Sequence, residues 1–195
     1  MNHSADDIKA LREMTGAGIV DVKQALDASS GDQKQAADIL RRKGKQIAQK
    51  KASRMASEGT IGCYVHANGK VAALVVLACE TDFVARNPVF LELAHDLALH
   101  VTAANPDYVS SDDVPPKRVE DERSIIREQM AGESKSDQVM EKILTGKLEK
   151  FYAEHCFLDQ PFVKDDTKTI RECIEQATAK MGEKIEIRHF VRFQL

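Results

Sequence analysis

The chain has 195 residues, of which 30% are charged and 43% hydrophobic, and its formal net charge is −3. This composition excludes a disordered chain, and the nearly balanced charge gives no overall attraction to nucleic acid or to a membrane surface. The sequence has neither a signal-peptide pattern nor an apolar run that could span a bilayer. We therefore expect a cytoplasmic globular protein, with room for one medium domain and a small one.

The N-terminal 44 residues predict a small three-helix module. Apolar residues recur at helical spacing in three stretches: Ile8, Leu11 and Met14; Ile19, Val22, Ala25 and Leu26; and Ala36, Ile39 and Leu40. Thr15-Gly16-Ala17-Gly18 separates the first helix from the second, and Gly31 ends the second. Gly44 is expected to end the third helix, which places the domain boundary at residue 44.

A basic segment follows, with seven lysines and arginines between Arg41 and Arg54. We interpret residues 45–56 as a solvated, basic helical linker, because no aromatic side chains are interleaved for base stacking. The alternative is an RNA- or ribosome-associated binding protein that uses residues 41–54. Salt-dependent RNA binding would favour that alternative.

Residues 57–195 predict an α+β domain. Alternating residues from Ile61 to Val65 and the turn Asn68-Gly69 predict a hairpin, in which Cys63 lies opposite Leu74. The second strand, residues 71–79, is apolar on both faces and is expected to be central. Cys63 and Cys79 are then too far apart for a disulfide.

Further helices and one strand complete this domain. Asn87-Pro88 starts a helix to about Thr102, and Pro115-Pro116 starts a helical hairpin interrupted at Ala131-Gly132. A helix capped by Thr167 is expected to end at Gly182, and a last strand alternates from Lys184 to Phe193. The predicted fold class is α+β: an N-terminal three-helix module followed by an antiparallel sheet covered by helices.

Thr81, Asp82, Phe83 and Val84 are the most informative residues. They connect the buried strand to the helix after Pro88, where a side chain can project towards a partner. The ordinary alternative is that Phe83 is buried in the core and Asp82 caps a turn, since large aromatic residues are mostly buried.

Three separated segments carry a family resemblance: residues 11–26, residues 81–87 and residues 160–165. Together, over about Ile8 to Phe193, they closely resemble bacterial translation elongation factor Ts in its short form. The resemblance implies an exchange factor that releases GDP from elongation factor Tu. It also implies that the N-terminal module is of the ubiquitin-associated type.

The resemblance also implies roles for particular residues. The segment Thr81 to Val84 resembles the one that enters the nucleotide-binding domain of Tu and dislodges its Mg²⁺, with Phe83 as the wedge and Asp82 beside it. In the N-terminal module, Arg12, Ile19 and Val20 match the region that grips a helix of the same Tu domain. Many members have a methionine pair where this chain has Ile19-Val20, so we expect an apolar contact with stiffer side chains.

Other chemistry has weak support in the sequence. There is no phosphate loop, nucleophile elbow, zinc-protease helix or close pair of cysteines, so we expect a protein that is not an enzyme and needs no cofactor or metal. An enzyme assembled from distant residues stays open. Because longer members repeat the core subdomain, we also expect a symmetric homodimer, with the last strand as a candidate contact.

Overall fold

The computed structural model describes residues 3–130 and 136–195. Its helices are α1 Ala5–Thr15, α2 Ile19–Ala28, α3 Gln33–Lys51, α4 Asp82–Ala85, α5 Pro88–Ala104, α6 Pro116–Gln129, α7 Asp137–His155 and α8 Ile170–Met181. Its strands are β1 Glu58–Val65, β2 Val71–Cys79, β3 Pro161–Phe162, β4 Asp165–Thr169 and β5 Glu186–Gln194. The architecture is a helical N-terminal part followed by an antiparallel sheet with helices, as the sequence predicts.

The first three helices form around a small apolar core. Leu11, Val22, Leu26 and Ala36 are fully buried there. Gly16 ends α1 in the left-handed conformation, with φ of 67°, and Asp32 caps α3 by accepting a hydrogen bond from the Gln35 backbone N–H at 2.9 Å. The three predicted helices are confirmed, whereas the domain boundaries remain predictions.

The expected helix end at Gly44 is wrong, because α3 continues to Lys51. Gly44 is buried and packs against α8, where a β-carbon at residue 44 would lie 3.8 Å from the Ala179 Cβ. Gly44 is therefore an interior residue of a helix that packs on another helix, and it is not a positive-φ stop. Polar contacts extend this packing: the Arg41 guanidinium lies 3.2 Å from Glu172, and the Lys51 ammonium donates to the Gly182 carbonyl at 2.6 Å.

The main sheet has the order β1-β2-β5, and both pairings are antiparallel. The hairpin register is confirmed, with Cys63 opposite Leu74. Helix α5 lies against one face of the sheet so closely that a side chain at Gly62 would overlap the backbone of Ala94. The buried core between sheet and helices includes Val75, Leu77, Phe90, Leu97, Val101, Phe157 and Ile170.

The predicted alternation of the last strand is wrong beyond Ile187. Leu77 pairs with Ile187 but Val76 pairs with His189, so Arg188 is an extra residue in β5. This bulge exchanges the two faces of the strand. Phe190 consequently turns towards the core, where its ring meets Phe157 at 5.4 Å between centroids.

Two further segments test the predicted helices. Helices α6 and α7 pack through Ile126, Met130, Leu144 and Leu148, which confirms a pair of adjacent helices. The predicted interruption at Ala131-Gly132 lies outside the described residues. The predicted cap of α8 is wrong by two residues: Thr169 accepts from the Glu172 N–H at 3.2 Å, and Glu172 reaches back to the Thr169 N–H.

The cysteines are free thiols, and two of them, Cys79 and Cys156, are buried. Within residues 3–130 and 136–195, no three His, Cys, Asp or Glu side chains are grouped so that they could hold a metal ion. No helix in the described part of the chain combines the length and the apolar character needed to cross a membrane.

Candidate functional site

Phe83, the aromatic residue of the predicted site, is 83% exposed. It lies on α4, a single helical turn between the central strand β2 and the N-terminus of α5. The alternative that Phe83 belongs to the core is therefore wrong. An exposed phenyl ring on a connection next to a rigid strand is an arrangement typical of a contact residue.

The neighbours of Phe83 divide between solvent and core. Asp82 forms an ion pair with Arg86, four residues later, at 3.2 Å, and both side chains are substantially exposed. Val84 packs against the core under the sheet, and Ala85 is buried. The single turn thus points Phe83 outward while Val84 and Ala85 fix the opposite side of α4.

Thr81 precedes α4 and is held by a carboxylate from the far end of the chain. Glu183 accepts a hydrogen bond from the Thr81 hydroxyl at 2.7 Å. Its second oxygen accepts the backbone N–H groups of Thr81 at 3.0 Å and of Glu80 at 3.1 Å. Since Thr81 gives its hydroxyl to Glu183, it makes no side-chain cap to α4.

Glu80 makes the reciprocal contact. Its carboxylate accepts the Lys184 backbone N–H at 2.6 Å and lies 3.2 Å from the Arg54 guanidinium. The hydrogen bond from Lys184, together with Arg54, lowers the pKa of Glu80 below its usual value. The segments around Glu80 and Glu183 are therefore joined twice, since each supplies a carboxylate that accepts backbone N–H groups of the other.

The predicted N-terminal contact residues are also at the surface. Arg12 is exposed near the end of α1, and Ile19 and Val20 are 48% and 62% exposed at the start of α2. Gly18 caps α2 without a side-chain hydrogen bond. The residues lie on either side of the turn between the two helices, and none belongs to the buried core of the module.

A cleft lies between the end of α1 and the start of α5. Met14, at the end of α1, and Val89, at the start of α5, line its walls together with Leu93 and Phe162. Val89 lies only six residues after Phe83 in the sequence. The cleft therefore connects the end of α1 to the helix that follows α4.

The third motif, residues 160–165, is held from within. The fully buried His100 accepts a hydrogen bond from the Val163 N–H at its Nδ1, at 3.2 Å, and its Nε2 lies 2.9 Å from the Gln160 Oε1. Gln160 donates its amide to the Glu154 carbonyl, at 2.7 Å. Burial lowers the pKa of His100, while the contact with Gln160 acts in the opposite direction. The neutral imidazole fits these partners, and the motif is a structural junction.

Glu80 and Glu183 are residues of the site that the sequence pattern does not reveal. They are separated by 103 positions. A signal exists in the topology, because β2 and β5 pair in antiparallel register with Ala78 opposite Glu186. The residues directly after β2 must then lie beside those directly before β5.

Comparisons with known proteins show that the sequence of this chain is similar to those of translation elongation factors. The Elongation factor TS family model matches residues 6–195. The chain belongs to the elongation factor Ts family.

Relatives of similar length support this assignment. Elongation factor Ts of Thermodesulfovibrio yellowstonii is 50% identical over 192 residues, which cover 98% of this chain and 96% of the relative. The Herpetosiphon aurantiacus protein is 50% identical over 195 residues, 100% of this chain and 98% of the relative. The Moorella thermoacetica protein is 46% identical over 192 residues, 98% of this chain and 95% of the relative.

Proposed function

We propose that the protein is a guanine-nucleotide exchange factor for elongation factor Tu. It binds Tu in its GDP-bound and nucleotide-free states and promotes GDP release during translation elongation. Phe83, with Thr81, Asp82 and Val84, enters the nucleotide-binding domain of Tu and disturbs its Mg²⁺ and phosphate site. The 83% exposure of Phe83 is the observation that carries this proposal.

Thermodynamic linkage sets the requirement for such a factor. It must bind nucleotide-free Tu more tightly than GDP-bound Tu, because equal affinity for both states shifts no equilibrium. Each tenfold difference between the two affinities corresponds to about 1.4 kcal/mol of coupling. Loss of the divalent ion removes the charge that neutralises the phosphates, so faster release needs no covalent chemistry by this chain.

The N-terminal module supplies a second contact in this proposal. Arg12, Ile19 and Val20 grip a helix of the same Tu domain, and the two apolar side chains are exposed before binding. Burying them against the partner provides affinity, while Phe83 provides the disturbance of the ion site. The two regions thus have separable effects on binding and on release.

The experiment is nucleotide release from Tu loaded with a fluorescent GDP analogue. Catalytic amounts of the protein should raise the release rate, and excess Mg²⁺ should reduce the effect because it opposes loss of the bound ion. Bovine serum albumin at the same concentration is the control. A release rate equal to that control sinks the proposal.

RNA or ribosome binding through residues 41–54 is the second candidate. Several cations of this segment already have partners within the chain, namely Arg41 with Glu172, Lys43 with Asp21, Lys51 with the Gly182 carbonyl and Arg54 with Glu80. These contacts reduce the charge available to phosphates and favour the exchange factor. Filter binding of RNA over a salt series distinguishes the two.

We further propose a homodimer that forms through the outer face of the main sheet. Its aligned rows are Ile61, Val76 and His189; Cys63, Leu74 and Val191; and Val65, Ala72 and Phe193. Ile61, Val65 and Phe193 are each more than 60% exposed. Eight of the nine side chains are uncharged and apolar or weakly polar, and a two-fold axis would bury them against the same surface of a second copy.

Within this proposal the protein acts in the cytoplasm, without direct nucleic-acid or membrane contact. It acts by binding and is not an enzyme with reactive side chains of its own. It uses no resident cofactor. A test for intrinsic hydrolysis of GTP by the chain alone should give only the background rate.

A further inference from the structure

We infer that Glu183 is a positioning residue that sets the direction of Phe83, an inference that rests on the proposed exchange function. Helix α4 has four residues, Asp82–Ala85, which is far below the length at which a helix is stable by itself. Its orientation must therefore come from contacts outside the turn.

The start of α4 depends on Glu183 for its placement. Thr81, at the N-cap position, makes no side-chain hydrogen bond to α4. Instead its hydroxyl and its backbone N–H both donate to Glu183, at 2.7 and 3.0 Å, and the Glu80 N–H adds a third bond at 3.1 Å. The buried Cys79 thiol also donates to the Thr81 carbonyl, at 3.2 Å. The N–H, hydroxyl and carbonyl groups of Thr81, the residue directly before α4, therefore all have hydrogen-bond partners.

Glu183 itself is well placed to act as an anchor. It directly follows Gly182, which ends α8 in the left-handed conformation with φ of 71°. The Gly182 carbonyl accepts from Lys51, and the Lys184 N–H donates to Glu80. Glu183 is therefore held between two residues whose backbones are tied to other parts of the chain.

This arrangement gives Glu183 an effect on exchange without a contact to the partner. A loop that is already ordered loses less conformational entropy when it enters a binding site. If Glu183 is removed, Val84 and Ala85 still hold one side of α4, but its N-terminal end is no longer fixed. Phe83 then adopts several directions, and a smaller fraction of encounters disturbs the ion site. The maximal release rate should fall, whereas the affinity supplied by the N-terminal module should change little.

The test compares Glu183→Ala with Glu183→Gln in the release of fluorescent GDP from Tu, with the protein concentration varied. Glu183→Ala should lower the maximal release rate about tenfold, with a change of less than about twofold in the half-maximal concentration. Glu183→Gln should restore most of the rate, because its amide oxygen can accept the two N–H groups and its NH₂ can donate to the Thr81 hydroxyl. Glu149→Ala, at an exposed position of α7, is the matched control.

A double-mutant cycle separates positioning from general damage to the fold. In the Phe83→Ala background, Glu183→Ala should have almost no further effect on the release rate, since there is no wedge to position. A tenfold loss that persists in that background overturns the inference. So does an unchanged maximal rate in Glu183→Ala, or a glutamine variant that loses as much as the alanine variant.

Two further outcomes, an inactive wild type and an unfolded variant, can be told apart from the results above. A wild-type protein that fails to release GDP defeats the proposed function itself, and the cycle is read only when the wild type is active. If circular dichroism finds Glu183→Ala unfolded, Glu183→Asp replaces it in the cycle, because the shorter side chain keeps the charge but draws the carboxylate away from its three donors. It should lower the maximal rate about threefold, and an unchanged rate then overturns the inference.

Discussion

Phe83 is 83% exposed, whereas Val84, the next residue, packs against the core beneath the sheet. A single helical turn separates their directions, so Val84 anchors the segment while Phe83 faces solvent. In the proposed complex, the residues Asp82 to Ala85 therefore contribute both to stability and to binding. Substitution of Phe83 should reduce GDP release more than stability, whereas substitution of Val84 should lower the free energy of unfolding.

Phe83→Ala should strongly reduce GDP release while leaving the fold intact. We expect the rate of GDP release to fall roughly thirtyfold, which corresponds to about 2 kcal/mol. Removing a large aromatic side chain from the centre of an interface often has an effect of this size. Its stability in urea should stay within about 0.5 kcal/mol of the wild type, since the ring has few contacts in the free protein. Stopped-flow release and urea titration provide the two measurements.

Two control variants sharpen this comparison. Val84→Ala should lower the free energy of unfolding by about 1 kcal/mol or more, because it removes methyl groups packed against the core. Ile125→Ala, at a position of α6 that is 43% exposed, should change neither quantity. If Phe83→Ala lost as much stability as Val84→Ala, and its release rate fell only as far as that loss explains, the role of Phe83 as a wedge would be contradicted.

Val20→Asp should weaken the binding of Tu without changing the maximal release rate. Val20 is 62% exposed at the start of α2, and a carboxylate there would lose its water on contact with an apolar helix. We expect the half-maximal concentration in the release assay to rise about tenfold. Val139→Asp, at a similarly exposed position of α7, is the control, and equal effects of the two variants would argue against a contact at the N-terminal module.

Gly44→Ala should stabilise the protein. Gly44 is in the interior of α3, and its added β-carbon would lie 3.8 Å from the Ala179 Cβ, an ordinary contact distance. Alanine in a helix is favoured over glycine by about 0.5 to 1 kcal/mol. Gly62→Ala is the contrasting control, because its β-carbon would overlap the Ala94 carbonyl. Urea unfolding should rank Gly44→Ala above the wild type and Gly62→Ala well below it, and the reverse order would refute the packing of α3 on α8.

Stability should fall with pH below about 6.5 because of His100. Burial lowers the folded-state pKa of His100 below its ordinary value of 6.5, so the unfolded chain takes up a proton first as the pH drops. The stabilisation is fully present above pH 6.5 and is lost as the pH falls towards the folded-state pKa. Between pH 7.5 and 5.5 the wild type should lose more stability than His100→Gln.

The control for this pH dependence is Leu97→Ala, a change at a fully buried residue of the same helix α5 that removes no titratable group. It should keep the wild-type slope. Urea titrations at three pH values are sufficient for the comparison. Parallel pH profiles for the wild type and His100→Gln would mean that His100 is accommodated equally well in its charged form.

Leu74→Glu should convert the proposed dimer to single chains. Leu74 lies in the middle row of the outer sheet face and is 40% exposed, so a carboxylate there should fold but oppose burial against a second copy. Sedimentation equilibrium at micromolar concentration should give twice the chain mass for the wild type and one chain mass for the variant. Ile125→Glu, on α6, should remain a dimer, and a wild type at one chain mass would exclude the assembly.

Local patterns predicted the parts of the fold that local chemistry determines. The hairpin at Asn68-Gly69 and the register of Cys63 with Leu74 follow from turn geometry and alternation. Asn87 caps α5 by accepting the Val89 N–H at 2.9 Å, and Gly182 ends α8 in the expected left-handed conformation. Each of these features depends on residues within a few positions of one another.

The cap of α8 was misplaced by two residues within a local capping box, but the other errors involve contacts between distant segments. Gly44 resembles a helix stop, but it lies inside α3, where the helix packs on α8 beside Ala179, which is 135 residues away in the sequence. The bulge at Arg188 is invisible in an alternating pattern because it depends on how β5 pairs with β2. Exposure of Phe83 could be suggested by resemblance, but its anchoring by Glu183 could be found only in three dimensions.

The continuous helix α3 has a mechanical consequence. Its 19 residues form a rod about 28 Å long, with one end in the N-terminal module and the other beside the Glu80 junction. Because α3 also packs along α8, it is connected both to the N-terminal core and to the junction that holds Thr81. In the proposed complex, the spacing between the surface at Val20 and the ring of Phe83 would select a partner whose two contact regions lie the same distance apart.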